Sequence, residues 1–225
     1  MKFKIVSLFV LCAILISCGT SRQGGKKQRK GTKAQVVLTP EQQRKYDYFF
    51  LEASRLKMKD DYSAAFDLLQ HCLTINPDAS SALYEISQYY MYLKQVPQGQ
   101  AALEKAVEND PDNYWYSQGL ASLYQQQNEM QKATNLLESM ATRFSDRMDP
   151  LYSLLDIYNR LEEYDNVITT LNRLEEKMGK NEQLSMEKFR IYLQKKDNQS
   201  AFREIESLVE EYPMDMRYQV ILGDV

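Results

Sequence analysis

"INPDASSALYEISQYY" at residues 75–90 and "NDPDNYWYSQGLASLY" at residues 109–124 repeat one pattern, with Pro77 and Pro111 34 residues apart. Pro213 lies 102 residues beyond Pro111, three further periods along the chain. Self-similarity at a period of roughly 20 to 50 residues marks a stacked repeat architecture. Five units of 34 residues run without insertion from Tyr46, Ser80, Tyr114, Met148 and Glu182. Their eleventh residues are Leu56, Tyr90, Tyr124, Tyr158 and Tyr192, all large. Their twentieth residues are Ala65, Gly99, Ala133, Val167 and Ala201, and their twenty-fourth are Leu69, Leu103, Leu137, Leu171 and Ile205. A small residue at twenty lets a second helix approach the first, while the large ones fill the space between them. Helices of about three turns are not stable alone in water. Stacked neighbours must therefore bury a continuous core.

This layout resembles the tetratricopeptide repeat over residues 46–215. The resemblance implies an all-α fold, a right-handed superhelical solenoid of antiparallel helix pairs with units 46–79, 80–113, 114–147, 148–181 and 182–215. Pro97 stands in the first turn of a second helix, where a missing N–H costs little. Pro77, Pro111 and Pro213 stop helices at the junctions. Glu52 and Lys188 depart from the family's apolar seventh residue, and Ser145 and Gly179 from its closing proline; these blur the unit edges rather than the fold. Leu222 and Gly223 fit the seventh and eighth positions of a sixth unit at 216–225 that has no second helix. Val220, Ile221 and Leu222 call for cover, so the natural chain is expected to continue, or a partner to cover this edge.

In the resembled family, positions two, five, nine and twelve of each first helix point into a concave groove. Carried over, these are Phe50 and Lys57, then Tyr84, Gln88 and Met91, then Trp115, Gln118, Ser122 and Gln125. Units four and five add Tyr152, Asp156 and Asn159, then Met186 and Arg190. Aromatic anchors mixed with amides suit an extended peptide or a partner helix. The plainer reading makes several of these aromatics inter-repeat packing. The family's carboxylate clamp has no clear counterpart, because Phe50 and Ser54 stand where its first Lys and Asn belong.

The N-terminus reads differently. Lys2 and Lys4 precede the twelve-residue apolar run "IVSLFVLCAILI" at 5–16, too short for the roughly twenty residues of a membrane span. It fits a secretory signal peptide. "LISC" at 15–18 resembles the lipobox of bacterial lipoproteins, which implies cleavage before Cys18 and acylation of that residue. Residues 1–17 are then the signal peptide and 18–45 a lipidated cysteine with a basic, disordered, flexible tether. An ordinary signal peptide that happens to contain a cysteine is the alternative. No acidic residue follows Cys18 before Glu41, which by resemblance favours an outer membrane and a periplasm-facing chain.

Charge divides the chain in the same place. Residues 19–39 carry Arg22, Lys26, Lys27, Arg29, Lys30 and Lys33 and no acid, whereas residues 40–225 sum to −11. An acidic body excludes nucleic acid as a natural partner, since phosphate contacts need Lys and Arg. The basic arm suits an anionic lipid surface or a plain soluble tether. Cys12 leaves with the signal and Cys18 is acylated, so Cys72 is a lone thiol and a small buried hydrophobe. With His71 the single histidine, no zinc site or histidine-dependent triad can be assembled. No phosphate-binding or hydrolase motif occurs, and no cofactor is expected. Glu162-Glu163, Glu175-Glu176 and Glu210-Glu211 read as solvated helix faces. The expected function is therefore a non-catalytic, membrane-anchored scaffold that holds other envelope proteins. The alternative is the N-terminal repeat module of a longer envelope protein with an enzymatic or glycan-capture domain beyond residue 225.

Overall fold

The computed structural model describes residues 37–224; the expected signal peptide, Cys18 and most of the basic arm lie outside the described residues. Those residues form eleven helices and no strand. First helices are α1 (Pro40–Lys57), α3 (Ser80–Tyr92), α5 (Tyr114–Gln126), α7 (Asp149–Arg160), α9 (Glu182–Gln194) and α11 (Met216–Asp224). Second helices are α2 (Tyr62–Ile75), α4 (Val96–Asn109), α6 (Met130–Arg143), α8 (Tyr164–Met178) and α10 (Asn198–Glu211). Each helix packs on the next in sequence. None among the described residues is long and apolar enough to cross a membrane.

The turn inside each pair repeats in atomic detail. Asp60, Lys94, Asn128, Glu162 and Lys196 recur every 34 residues, each in the left-handed region with φ between 56° and 61°. Around Lys94, its N–H donates to the Met91 carbonyl at 3.0 Å and the Gln95 N–H to the Tyr90 carbonyl at 2.8 Å. This pair of bonds closes a helix through a left-handed residue and satisfies its last carbonyls. A left-handed backbone costs a residue with a Cβ roughly 1–2 kcal/mol, less for Asn and Asp. Glu162→Gly is therefore expected to raise stability by about 0.5–1 kcal/mol, offset in part by the freer unfolded chain. Asn128→Gly should change it far less. Urea midpoints of both variants check this.

Helix starts follow capping chemistry. Thr39 accepts from the Gln42 N–H at 3.2 Å while Gln42 Oε1 accepts from the Thr39 N–H at 2.9 Å, and Pro40 follows. That reciprocal cap carries α1 back to Pro40, ahead of Tyr46, into sequence expected to be tether. Asp61, Asn113, Asn181 and Asp197 cap α2, α5, α9 and α10 one-sidedly, their side-chain oxygens accepting from a first-turn N–H.

The columns of small and large residues are buried. Ala65, Ala133, Val167 and Ala201 are fully covered, as are Leu137 and Ile205. At Gly99 a Cβ would meet Met91 Sδ at 2.8 Å and the Ser87 carbonyl oxygen at 3.1 Å, so α3 and α4 pack tightly here and an alanine would require Met91 to move aside. Tyr124 donates to Glu104 at 2.9 Å, and one period later Tyr158 donates to Glu138 at 3.3 Å. Tyr124 and Tyr158 thus bury their rings and place their hydroxyls on the preceding unit, while Tyr90 and Tyr192 are half-buried.

The two departures at position seven resolve differently. Glu52 is half-buried on α1, ion-paired with Arg55 one turn away. Lys188 is 3% exposed, with Nζ 2.9 Å from both Glu175 on α8 and Glu204 on α10. Lys180 approaches the same two carboxylates at 3.4 and 3.6 Å. The expectation of a solvated Glu175-Glu176 face holds for Glu176 only; Glu175 turns inward to meet Lys188. Adjacent helical residues lie about 100° apart, so one can face water while its neighbour faces the next helix.

Candidate interaction groove

Exposed aromatic residues stand on four of the first helices, Tyr48, Tyr92, Trp115 and Tyr152, and on two of the second, Tyr62 and Phe202. On α5, Asn113 caps the helix by accepting from the Trp115 N–H at 3.1 Å, which fixes where Trp115 leaves the chain. Trp115 is 63% exposed, yet its neighbour Tyr114 is buried, edge-on to Phe144 with ring centres 5.3 Å apart. The Arg147 guanidinium lies 4.0 Å from the Tyr114 ring and 5.5 Å from that of Trp115. This cation–π contact steadies both rings at the junction of α6 and α7. On α7, Tyr152 is exposed and its hydroxyl lies 3.4 Å from Met178 Sδ.

The residues expected in the groove divide evenly. Gln88, Trp115, Tyr152, Asp156 and Arg190 are exposed. Asp156 pairs with Arg160 at 3.5 Å and Arg190 with Glu187 at 2.7 Å, each along its own helix. Phe50, Tyr84, Met91, Gln118 and Met186 are half-buried. Phe50 stacks on Tyr46 at 5.9 Å, and Tyr84 meets Tyr116 at 4.8 Å. Met91 and Met186 pack against core clusters, and Gln118 accepts from the Tyr114 hydroxyl at 3.0 Å. These five support the repeat stack as well as its surface.

Sequence reasoning missed one feature. Lys57, Tyr62, Gln88, Tyr89 and Tyr92 line a cavity of about 260 Å³ where units one and two meet. The turn after α1 sets Lys57 and Tyr62 against the C-terminal end of α3. Tyr62, Tyr89 and Tyr92 stand outside the positions used to trace a groove, although the run "QYYMY" at 88–92 was a visible aromatic signal. Lys57 donates to Glu85 at 2.7 Å, and this bond holds its pKa above the ordinary lysine value.

Comparison with known proteins agrees with this geometry. A tetratricopeptide repeat family profile matches residues 80–113, the helix pair α3 and α4 with its closing turn. One helix pair thus matches the tetratricopeptide repeat family itself, and the described residues as a whole have the tetratricopeptide-repeat fold. A tetratricopeptide repeat protein from Parabacteroides merdae superposes with a TM-score of 0.55 at 16% identity, over 80% of this chain and 72% of that one. MamA protein gives 0.55 at 17% identity, over 78% and 96%. YrrB, described as a tetratricopeptide repeat protein with an unusual peptide-binding site, gives 0.52 at 12% identity, over 79% and 91%. At such identities the likeness concerns the fold. No curated protein sequence matches the chain. On α2, His71 is exposed beside Phe49, at 5.6 Å, and Cys72 is buried. Burial pushes the Cys72 thiol up to about 11, which keeps it protonated and unreactive near neutral pH.

Proposed function

We propose that this chain is a lipid-anchored scaffold of the cell envelope whose repeats hold a protein or peptide partner. The observation that carries the binding half is the pair Trp115 and Tyr152. Both are large aromatic side chains left exposed on successive first helices while the other aromatics nearby are packed. Aromatic residues presented on a rigid helical frame are the usual anchors of an interface. A peptide-binding site in the similar YrrB fold supports the same reading. The location half rests on the sequence: "LISC" at 15–18, the short apolar run before it and the basic arm after it. Acylation of Cys18 would place the repeats at a membrane, the outer one with its periplasmic face by the absence of early acids, and the arm would supply reach.

Two measurements test the halves separately. Affinity capture from detergent-extracted membranes should recover a defined set of proteins with wild type. Trp115→Ala and Tyr152→Ala should each lower that recovery roughly tenfold or more, as interface anchors do. Equal recovery by all three proteins removes the groove reading. Cys18→Ser should move the protein from the membrane to the soluble fraction, and continued membrane association removes acylation as the anchor.

A further inference from the structure

We propose that the tyrosine-lined cavity between units one and two receives a proline-rich segment of a partner chain in the polyproline conformation. This rests on the binding-scaffold reading and names the partner's chemistry.

Size comes first. At about 260 Å³ the cavity falls below the range of drug-sized sites, roughly 300–1,000 Å³, and suits one or two side chains of a peptide. Three of its five lining residues are tyrosines. Tyr92 is 82% exposed and Tyr62 is 49% exposed, so two of the rings are open to an incoming surface. Flat aromatic faces pack against pyrrolidine rings, and a polyproline segment arrives with little conformational entropy left to lose.

Hydrogen bonding then selects among peptides. The Tyr89 hydroxyl is buried and has no hydrogen-bond partner among the described residues. That hydroxyl is closed off behind the wall, so Tyr89 offers the cavity its ring and not its O–H. Lys57 gives one bond to Glu85 and Gln88 gives one to Ser87 at 3.1 Å, which leaves each with further N–H groups to donate. The Tyr62 hydroxyl is already used on Asp60, at 2.7 Å. The wall is therefore mostly tyrosine ring, with N–H donors from Lys57 and Gln88 and one amide oxygen at its edge. Proline residues present carbonyl oxygens but no backbone N–H, and the polyproline helix has no internal hydrogen bonds to occupy those carbonyls. An ordinary extended strand would add N–H groups with few acceptors to meet them. Charge gives no reason to prefer an ionic ligand, because Glu85 already neutralises Lys57.

The test uses the purified full chain in mild detergent and two fluorescently labelled, end-capped probes of equal length, an oligoproline and a Gly–Ser peptide. Fluorescence anisotropy should show saturable binding of the oligoproline and none of the Gly–Ser peptide. Tyr92→Ala and Tyr62→Ala change exposed side chains and leave the fold intact; each should weaken oligoproline binding about tenfold or more. Tyr89→Phe keeps the ring that lines the cavity and removes only an enclosed hydroxyl, so it should leave binding unchanged. Trp115→Ala should leave it unchanged. Absence of oligoproline binding overturns the proposal, as does binding that survives Tyr92→Ala and Tyr62→Ala or depends on Trp115 instead. A chain that ignores oligoproline yet still captures partners through Trp115 and Tyr152 overturns the cavity assignment alone and leaves the scaffold reading standing.

Discussion

Lys188→Met should lower the stability of the repeat array by about 3–5 kcal/mol, because it strands two inward-facing carboxylates without their shared counter-charge. Lys188 is 3% exposed and bridges Glu175 and Glu204 at 2.9 Å each, tying α8 and α10 through α9. Lys180 sits farther from both acids and is more solvated, so it compensates only in part. Replacing Glu175 and Glu204 with Leu in the Lys188→Met background should recover most of the loss, since well-packed apolar residues often equal or exceed a buried ion cluster. Urea denaturation of the three proteins checks both statements. If the single variant unfolds at the wild-type midpoint, the cluster contributes nothing.

The same cluster sets a pH dependence. Burial pushes the Glu175 carboxyl up, but hydrogen bonds and charge from Lys188 and Lys180 outweigh this and leave its pKa below the ordinary value. The stability it contributes is present above the unfolded carboxyl pKa of roughly 4.3 and is lost as pH falls through the lower folded value. For Lys188 burial pushes the ammonium down, while its bonds to Glu175 and Glu204 raise it further than burial lowers it. Its contribution is full below roughly pH 10.4 and is lost as pH climbs through the higher folded value. Wild type should therefore lose midpoint at both extremes relative to the triple variant.

Leu154→Ala should cost about 2–5 kcal/mol, as truncation of a fully buried leucine does when the site cannot collapse. Leu154 is completely covered and belongs to the cluster that runs from Leu103 to Ile191 through the middle of the array. In a repeat stack each unit touches only its neighbours, so a weak central unit separates the units before it from those after it. The variant should melt in two calorimetric transitions where wild type melts in one broader cooperative step. A single transition at the wild-type temperature would contradict both the packing role and the nearest-neighbour account.

What the sequence disclosed follows from which constraints are local. The columns at eleven, twenty and twenty-four were legible because each is a steric requirement repeated five times, and Ala65, Leu137 and Ile205 are buried accordingly. The anomaly at Lys188 was visible, but its partners lie on two other helices and only the stack brings them together. Groove positions set by helix spacing specify a face, not its exposure. Long side chains lean over the preceding turn, so Tyr84 and Met91 are drawn into packing while Trp115 is not. The cavity escaped notice because its walls come from the end of one helix, the start of another and a third that crosses both.

The cation–π clasp at Trp115 has an optical consequence. The chain contains a single tryptophan, and that indole is 63% exposed with a guanidinium 5.5 Å from its ring. Intrinsic emission excited at the red edge of absorption therefore comes from one known point on α5. A partner that covers this point should shift the emission to the blue, whereas a segment lodged among Tyr62, Tyr89 and Tyr92 should leave its colour unchanged. The unlabelled protein thus carries a built-in means of telling which of its two surfaces is occupied.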